Sequence, residues 1–82
     1  MKNHHFNELS VQLQILSNGS REDIIQWLQW NDENGIWTDE DSEAEGRSPL
    51  TLEEARNWML AATDEERTGL PSLRGLLRKN HN

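Results

Sequence analysis

Three helix-start signals place the strongest constraint on what this chain can fold into. In each, a Ser or Thr is followed three residues later by an acidic residue, at Ser20/Asp23, Thr38/Asp41 and Thr51/Glu54. The hydroxyl in such a motif accepts a hydrogen bond from the amide three residues on, and the carboxylate reaches back to the first residue's own amide. We therefore predict a helix after each hydroxyl residue, the second of them short and ending at Gly46.

Apolar residues follow two of these signals at helical spacing. Behind Ser20, the inward stripe consists of Ile24, Trp27 and Leu28, and it is widened by Ile25 and Trp30. Such a broad stripe is typical of a helix that contacts two others. Behind Thr51, the stripe comprises Leu52, Ala55, Trp58, Met59 and Ala62. We expect these two helices to form the central pair, the first ending by residues 34–35 and the second before residue 69.

The first segment, residues 6–16, is ambiguous by periodicity. Its apolar residues fit a helical stripe, but Leu9, Val11, Leu13 and Ile15 also alternate as they would in a strand. The ending at residues 17–20 favours a helix, since Gly19 suits the left-handed conformation that follows many helices. A strand would instead have to pair with residues 36–38 or with a second molecule.

The last segment predicts one more short helix after Leu70-Pro71-Ser72. Leu73, Leu76 and Leu77 would face inward, and Arg78 and Lys79 would lie at its C-terminus, where the helix dipole favours cations. With this segment the predicted fold class is all-α, a compact bundle of four or five short helices in a single domain over residues 1–82.

The supply of apolar residues is small for such a fold. Only 33% of the 82 residues are hydrophobic, which suffices for one small core. Tryptophan has the largest apolar surface of any side chain here, so we expect the four tryptophans to be mostly in the core. They are Trp27, Trp30, Trp37 and Trp58.

Several function classes are disfavoured by what the chain contains. It has no Cys, so a disulfide framework and a thiolate zinc site are excluded and an intracellular setting is favoured. No apolar run reaches the length of a signal peptide core or a membrane span, so we expect a cytoplasmic protein without membrane contact. His4, His5 and His81 lie near the ends of the chain, where neither a catalytic triad nor a metal site is expected. The sequence therefore predicts no enzyme, no metal site and no cofactor.

The net charge of −7 is unevenly distributed. Residues 1–38 carry −3, residues 39–66 carry −8, and residues 67–82 carry +4. Binding to nucleic acid requires a clustered cationic surface, which this balance does not provide. The residues between Asp32 and Glu45 include seven acids and no base, interrupted by Ile36 and Trp37, which we expect to anchor the segment on the core.

Residues 32–43 resemble the calcium-binding loop of an EF-hand at three positions. Asp32, Asn34 and Glu43 match the first, third and twelfth ligand positions of that loop. Ile36 and Trp37 depart from it, because the fifth position needs a ligand oxygen and the sixth needs the Gly that permits a sharp turn. We therefore favour a solvated acidic surface, with calcium binding as the alternative.

From this we expect a non-enzymatic binding or regulatory protein whose acidic face, about residues 32–54, meets a basic surface on a protein partner. An inhibitor that imitates nucleic acid, of the phage or mobile-element type, is one form of it, since ordered carboxylates can take the place of phosphates. A small structural or accessory domain is a further alternative, and the oligomeric state is left open. The expected partner-binding residues are Asp32, Glu33, Trp37, Asp39, Glu40, Asp41, Glu43, Glu45, Glu53 and Glu54.

Overall fold

The computed structural model describes residues 6–66, 69, 73 and 77. This part of the chain contains four helices and no strand. The helices are α1 (Leu9–Asn18), α2 (Arg21–Asn31), α3 (Asp39–Ala44) and α4 (Leu52–Glu66). The prediction of a small all-α fold is therefore confirmed, and the ambiguous first segment is a helix.

The two longest helices begin as their capping motifs predict. The Ser20 hydroxyl accepts from the Asp23 amide at 3.2 Å, and the Asp23 carboxylate accepts from the Ser20 amide at 3.0 Å. At the start of α4, the Thr51 hydroxyl accepts from the Glu54 amide at 3.0 Å, and the Glu54 carboxylate accepts from the Thr51 amide at 2.9 Å. Both reciprocal capping boxes are complete, so each satisfies two amides that a helix start leaves without a partner.

Gly19, which separates α1 from α2, corrects one local prediction. Its backbone is extended, with φ −71° and ψ 152°, and is not in the left-handed conformation. The Gly19 amide donates to the Ile15 carbonyl at 2.8 Å, and a Cβ on Gly19 would lie 2.5 Å from that same oxygen. Glycine is required here by close approach to the preceding turn, not by its φ angle.

The centre of the fold is the contact between α2 and α4, as expected. On α2, the predicted stripe of Ile24, Trp27 and Leu28 is buried. On α4, the buried stripe is Ala55, Met59, Leu60 and Thr63, whereas Leu52 and Trp58 are 45% and 52% exposed. Of the predicted stripe, Ala55 and Met59 are therefore buried as expected and Ala62 packs against the core, whereas Leu52 and Trp58 face outward.

The reason for this difference is rotational. Ala55, Met59 and Thr63 are spaced four residues apart and so lie on one side of α4. Successive helical residues are rotated by about 100° around the axis, which turns Trp58 away from the face that Met59 presents to α2. The apolar spacing alone admitted both stripes, and packing against α2 selected one of them.

The tryptophans divide between the core and the surface. Trp27 is fully buried, and its indole N–H donates to the Phe6 carbonyl at 3.0 Å. Trp37 is half-buried against the core, while Trp30 and Trp58 are 40% and 52% exposed. The expectation that all four would be mostly core is therefore wrong for Trp30 and Trp58, because a core this small is filled by one indole and aliphatic side chains.

Part of the predicted C-terminal helix lies within the described residues. Leu73 is fully buried, Leu77 packs against the core, and the Leu73 amide donates to the Asp64 carboxylate at 3.2 Å. The inward orientation predicted for these two leucines agrees with the structure. Leu76, Arg78 and Lys79 lie outside the described residues.

Candidate functional site

The acidic segment, residues 32–45, is well structured. Its second half forms α3, which begins at the predicted residue, where the Thr38 hydroxyl accepts from the Asp41 amide at 3.0 Å; the predicted return bond from the Thr38 amide to the Asp41 carboxylate is not formed. The first turn of α3 contains Asp39, Glu40 and Asp41, and negative charge at a helix N-terminus is favourable. The turn after α3 brings the chain through Gly46 at φ 72°, a left-handed conformation that suits glycine.

Trp37 fixes the first half of the acidic segment to the rest of the fold. Its indole N–H donates to the Asp32 carbonyl at 2.7 Å. The ring also lies directly against Gly35, where an added Cβ would be 2.3 Å from the indole. Trp37 also meets Trp58 of α4 edge-on, with ring centroids 5.6 Å apart and planes at 71°. The expected anchoring of the segment by Trp37 thus has a definite geometry.

Arg21 fixes the second half of the segment. Its guanidinium forms an ion pair with Asp39 at the start of α3, and its Nε donates to the Leu50 carbonyl at 2.6 Å. Within the described residues, Asp39 is the one member of the acidic segment with an ion pair. The remaining six carboxylates of the segment have no ion pair there; they belong to Asp32, Glu33, Glu40, Asp41, Glu43 and Glu45.

Two of the clefts that border the acidic segment adjoin each other. The acidic cleft, of about 600 Å³, is lined by Asp39, Glu40, Glu43, Gly46, Arg47, Ser48 and Pro49. The aromatic cleft, of about 350 Å³, has Trp37 and Trp58 among its walls and is also lined by Asp32, Asn34, Gly35, Ile36, Ser42, Arg47, Ser48 and Leu50. Because Arg47 and Ser48 line both clefts, the aromatic cleft opens directly beside the acidic one.

The two acids of α4 that were expected on the same face have other surroundings. Glu53 lines a separate hollow together with Leu52 and Arg56, and this hollow shares no residue with the two clefts. The Glu54 carboxylate is engaged in the capping box with Thr51. The structure thus brings Asp39, Glu40 and Glu43 together, and it does not bring Glu53 or Glu54 into their cleft.

Glu33 and Glu45 occupy the two ends of the acidic segment. Glu33 is exposed in the turn after α2. Glu45 follows the last residue of α3, where its amide donates to the carbonyls of Asp41 and Ser42. Both side chains point to solvent and neither lines one of the two clefts.

Sequence reasoning missed two residues of this region, Trp58 and Arg47. The apolar spacing predicts Trp58 in the core-facing stripe of α4, and it predicts no role for Arg47. No local signal turns Trp58 outward, because the apolar spacing of α4 admits both stripes. No local pattern places Arg47 between the two clefts, because that position depends on where the chain after α3 runs.

The EF-hand resemblance is not reproduced in three dimensions. Residues 39–44 are helical where an EF-hand loop would continue around the ion. The Asp32 carboxylate accepts from the Asn34 amide at 3.1 Å, which is a local turn contact. Among the residues that the structure describes, no three acidic or histidine side chains are grouped as a metal site requires.

Comparison with known protein families, with curated proteins and with solved structures gives no match for this chain. Within the described part of the chain, no helix combines the length and the apolar character needed to cross a bilayer. What the acidic segment does is therefore inferred from its own geometry and charge.

Proposed function

We propose that this protein is a non-enzymatic binding protein whose acidic segment engages a basic surface on a protein partner. One observation carries the proposal: the segment is held in place by Trp37 and Arg21, yet six of its seven carboxylates have no ion pair among the described residues. Carboxylates that are held in place and have no ion pair among the described residues are available to a partner.

Because the acidic segment is structured before binding, its affinity for a partner is affected as well as the geometry of the complex. A flexible acidic tail loses conformational entropy when it binds, and that loss offsets part of the electrostatic attraction. Here α3 is already capped by Thr38 and joined to α2 through Asp39, so its carboxylates keep their relative positions before a partner arrives. Complementary charge of this kind mainly raises the association rate and selects the partner.

A nucleic-acid mimic is one form of this function. Its partner would be a protein whose basic groove normally holds a phosphate backbone, and the acids of α3 would take the place of phosphates. A competition experiment with duplex DNA distinguishes a nucleic-acid mimic from a protein that binds some other basic surface. A mimic displaces duplex DNA from such a protein, whereas a partner that uses a different basic surface keeps its DNA.

The proposal is tested with a lysine-rich peptide as a defined basic probe and calorimetric titration as the measurement. We expect binding at low ionic strength that weakens as salt is added, since salt screens exposed charges. The double variant Glu40→Gln/Glu43→Gln removes two carboxylates from the acidic cleft and is expected to weaken binding about tenfold, at roughly 0.7 kcal/mol per exposed charge. The matched control is Glu53→Gln/Glu66→Gln, which makes the same change of charge at two exposed positions of α4 outside the two clefts.

If both double variants weakened peptide binding equally, the effect would be due to net charge alone. That result would contradict a specific acidic face. A fluorescence titration separates the calcium alternative. Calcium is titrated while tryptophan emission is recorded, since the indole of Trp37 donates to the Asp32 carbonyl inside the candidate loop and its surroundings would change if the loop closed around an ion. A saturable change in emission would favour the calcium-binding hypothesis over ours.

A further inference from the structure

We infer that the aromatic cleft receives a bulky apolar side chain of the partner, so that the partner presents a segment in which an apolar residue is flanked by lysines or arginines. This inference rests on the proposed function and names the chemistry of the partner. It is drawn from the walls of the cleft and from the charges beside it.

Part of the wall of the aromatic cleft is apolar and accessible to solvent. Trp58 is 52% exposed, and removing its apolar surface from water on binding would be favourable. Ile36 and Leu50 are half-buried and line the same cleft. Its volume of about 350 Å³ is at the lower end of the range for pockets that bury small ligands, which suits one bulky side chain and its neighbours.

The cleft is also rigid on its Trp37 side. That indole is held by its hydrogen bond to the Asp32 carbonyl and by its contact with Gly35. Trp58 rests edge-on against it, in one of the favoured geometries for aromatic pairs. Preformed pockets with tryptophan walls are typical of the few positions that carry most of the binding energy in protein interfaces.

The charges beside the aromatic cleft indicate which residues flank the apolar side chain in the partner. Asp39, Glu40 and Glu43 line the acidic cleft, and Asp32 lines the aromatic cleft itself. A wholly apolar partner would cover these carboxylates without neutralising them, which is unfavourable. Arg47 stands at the boundary of the two clefts and repels a cation placed directly over it. The apolar residue is thus expected over Trp58 and the basic residues over the acids.

A second copy of this chain is the other occupant to consider. The acidic segment adjoins the cleft, so a symmetric dimer through this face would bring like charges together, which is unfavourable. Analytical ultracentrifugation of the protein alone tests whether a second copy binds in the aromatic cleft. Self-association that Trp58→Ala abolishes would overturn the inference.

The inference is tested with two lysine-rich peptides of equal length and charge, one with two central leucines and one with two central alanines. We expect the leucine peptide to bind at least about fivefold more tightly. That ratio should persist at high ionic strength, because apolar contacts are not screened by salt. Trp58→Ala is expected to bring the ratio close to one. Trp30→Ala, which removes a comparably exposed indole packed against Phe6 and Trp27, should leave it unchanged.

The outcomes separate the inference from the proposed function. Equal, salt-sensitive binding of both peptides would overturn the inference and leave the acidic face in place. A preference for leucine that survives Trp58→Ala would also overturn it. Failure of both peptides to bind would overturn the proposed function as well. Helical circular dichroism and retained binding of the alanine peptide show that the Trp58→Ala protein is folded.

Discussion

Arg21 of α2 and Asp39 of α3 are 18 residues apart in sequence and form an ion pair in the fold. The same guanidinium donates through Nε to the carbonyl of Leu50, just before α4. One side chain thereby joins α2, α3 and the segment that leads into α4. This contact explains how a helix of only six residues keeps a defined position, although it is too short to be stable by itself.

Replacing Arg21 by Ala is expected to lower the free energy of unfolding by about 1–2 kcal/mol, the range for charge-assisted hydrogen bonds that remain partly exposed. Urea denaturation followed by circular dichroism measures this. The control is Glu22→Gln, whose carboxylate lies 4.0 Å from Arg21 and is 78% exposed, so a change below about 0.5 kcal/mol is expected. Equal stability of Arg21→Ala and the parent would contradict the anchoring role.

The capping box of α4 gives a second prediction. Thr51→Ala removes the hydroxyl that accepts from the Glu54 amide and is expected to cost about 1 kcal/mol of stability. Thermal or urea unfolding measures the loss. Ser48→Ala is the matched control, since Ser48 is exposed and lies in the preceding non-helical segment. A comparable loss in Ser48→Ala would show that the effect of Thr51 is not due to capping.

Gly35 and Gly46 should respond differently to alanine. Gly35→Ala places a methyl group 2.3 Å from the Trp37 indole, so Trp37 must move and its tryptophan emission should change. Gly46→Ala meets open space but has to adopt φ 72°, which costs about 1 kcal/mol without moving Trp37. Unchanged emission in Gly35→Ala would contradict the contact that fixes Trp37.

Trp27 and Trp58 give the fourth prediction. Trp27→Phe removes a fully buried indole and its hydrogen bond to the Phe6 carbonyl, so we expect a loss of about 1–3 kcal/mol. Trp58→Phe changes a half-exposed ring and is expected to cost less than about 1 kcal/mol. Acrylamide quenching distinguishes the two further, because the accessible emission should fall mainly in Trp58→Phe. A larger stability loss in Trp58→Phe would contradict the assigned burial.

Much of the helical framework could be predicted from sequence because its signals are local. Each capping bond joins residues that are three apart, so Ser20/Asp23, Thr38/Asp41 and Thr51/Glu54 form them wherever a helix begins, without help from the rest of the chain. The acidic character of the segment between α2 and α4 follows from composition alone.

The candidate site depended on contacts between distant residues. Whether Trp58 points inward or outward is decided by the side of α4 that α2 covers, and apolar spacing admitted both. The Arg21–Asp39 pair and the meeting of the two clefts at Arg47 arise only when three segments pack together. Bonds within one turn are specified by the residues of that turn, whereas burial and ion pairing across 18 residues are set by the packing of the whole chain.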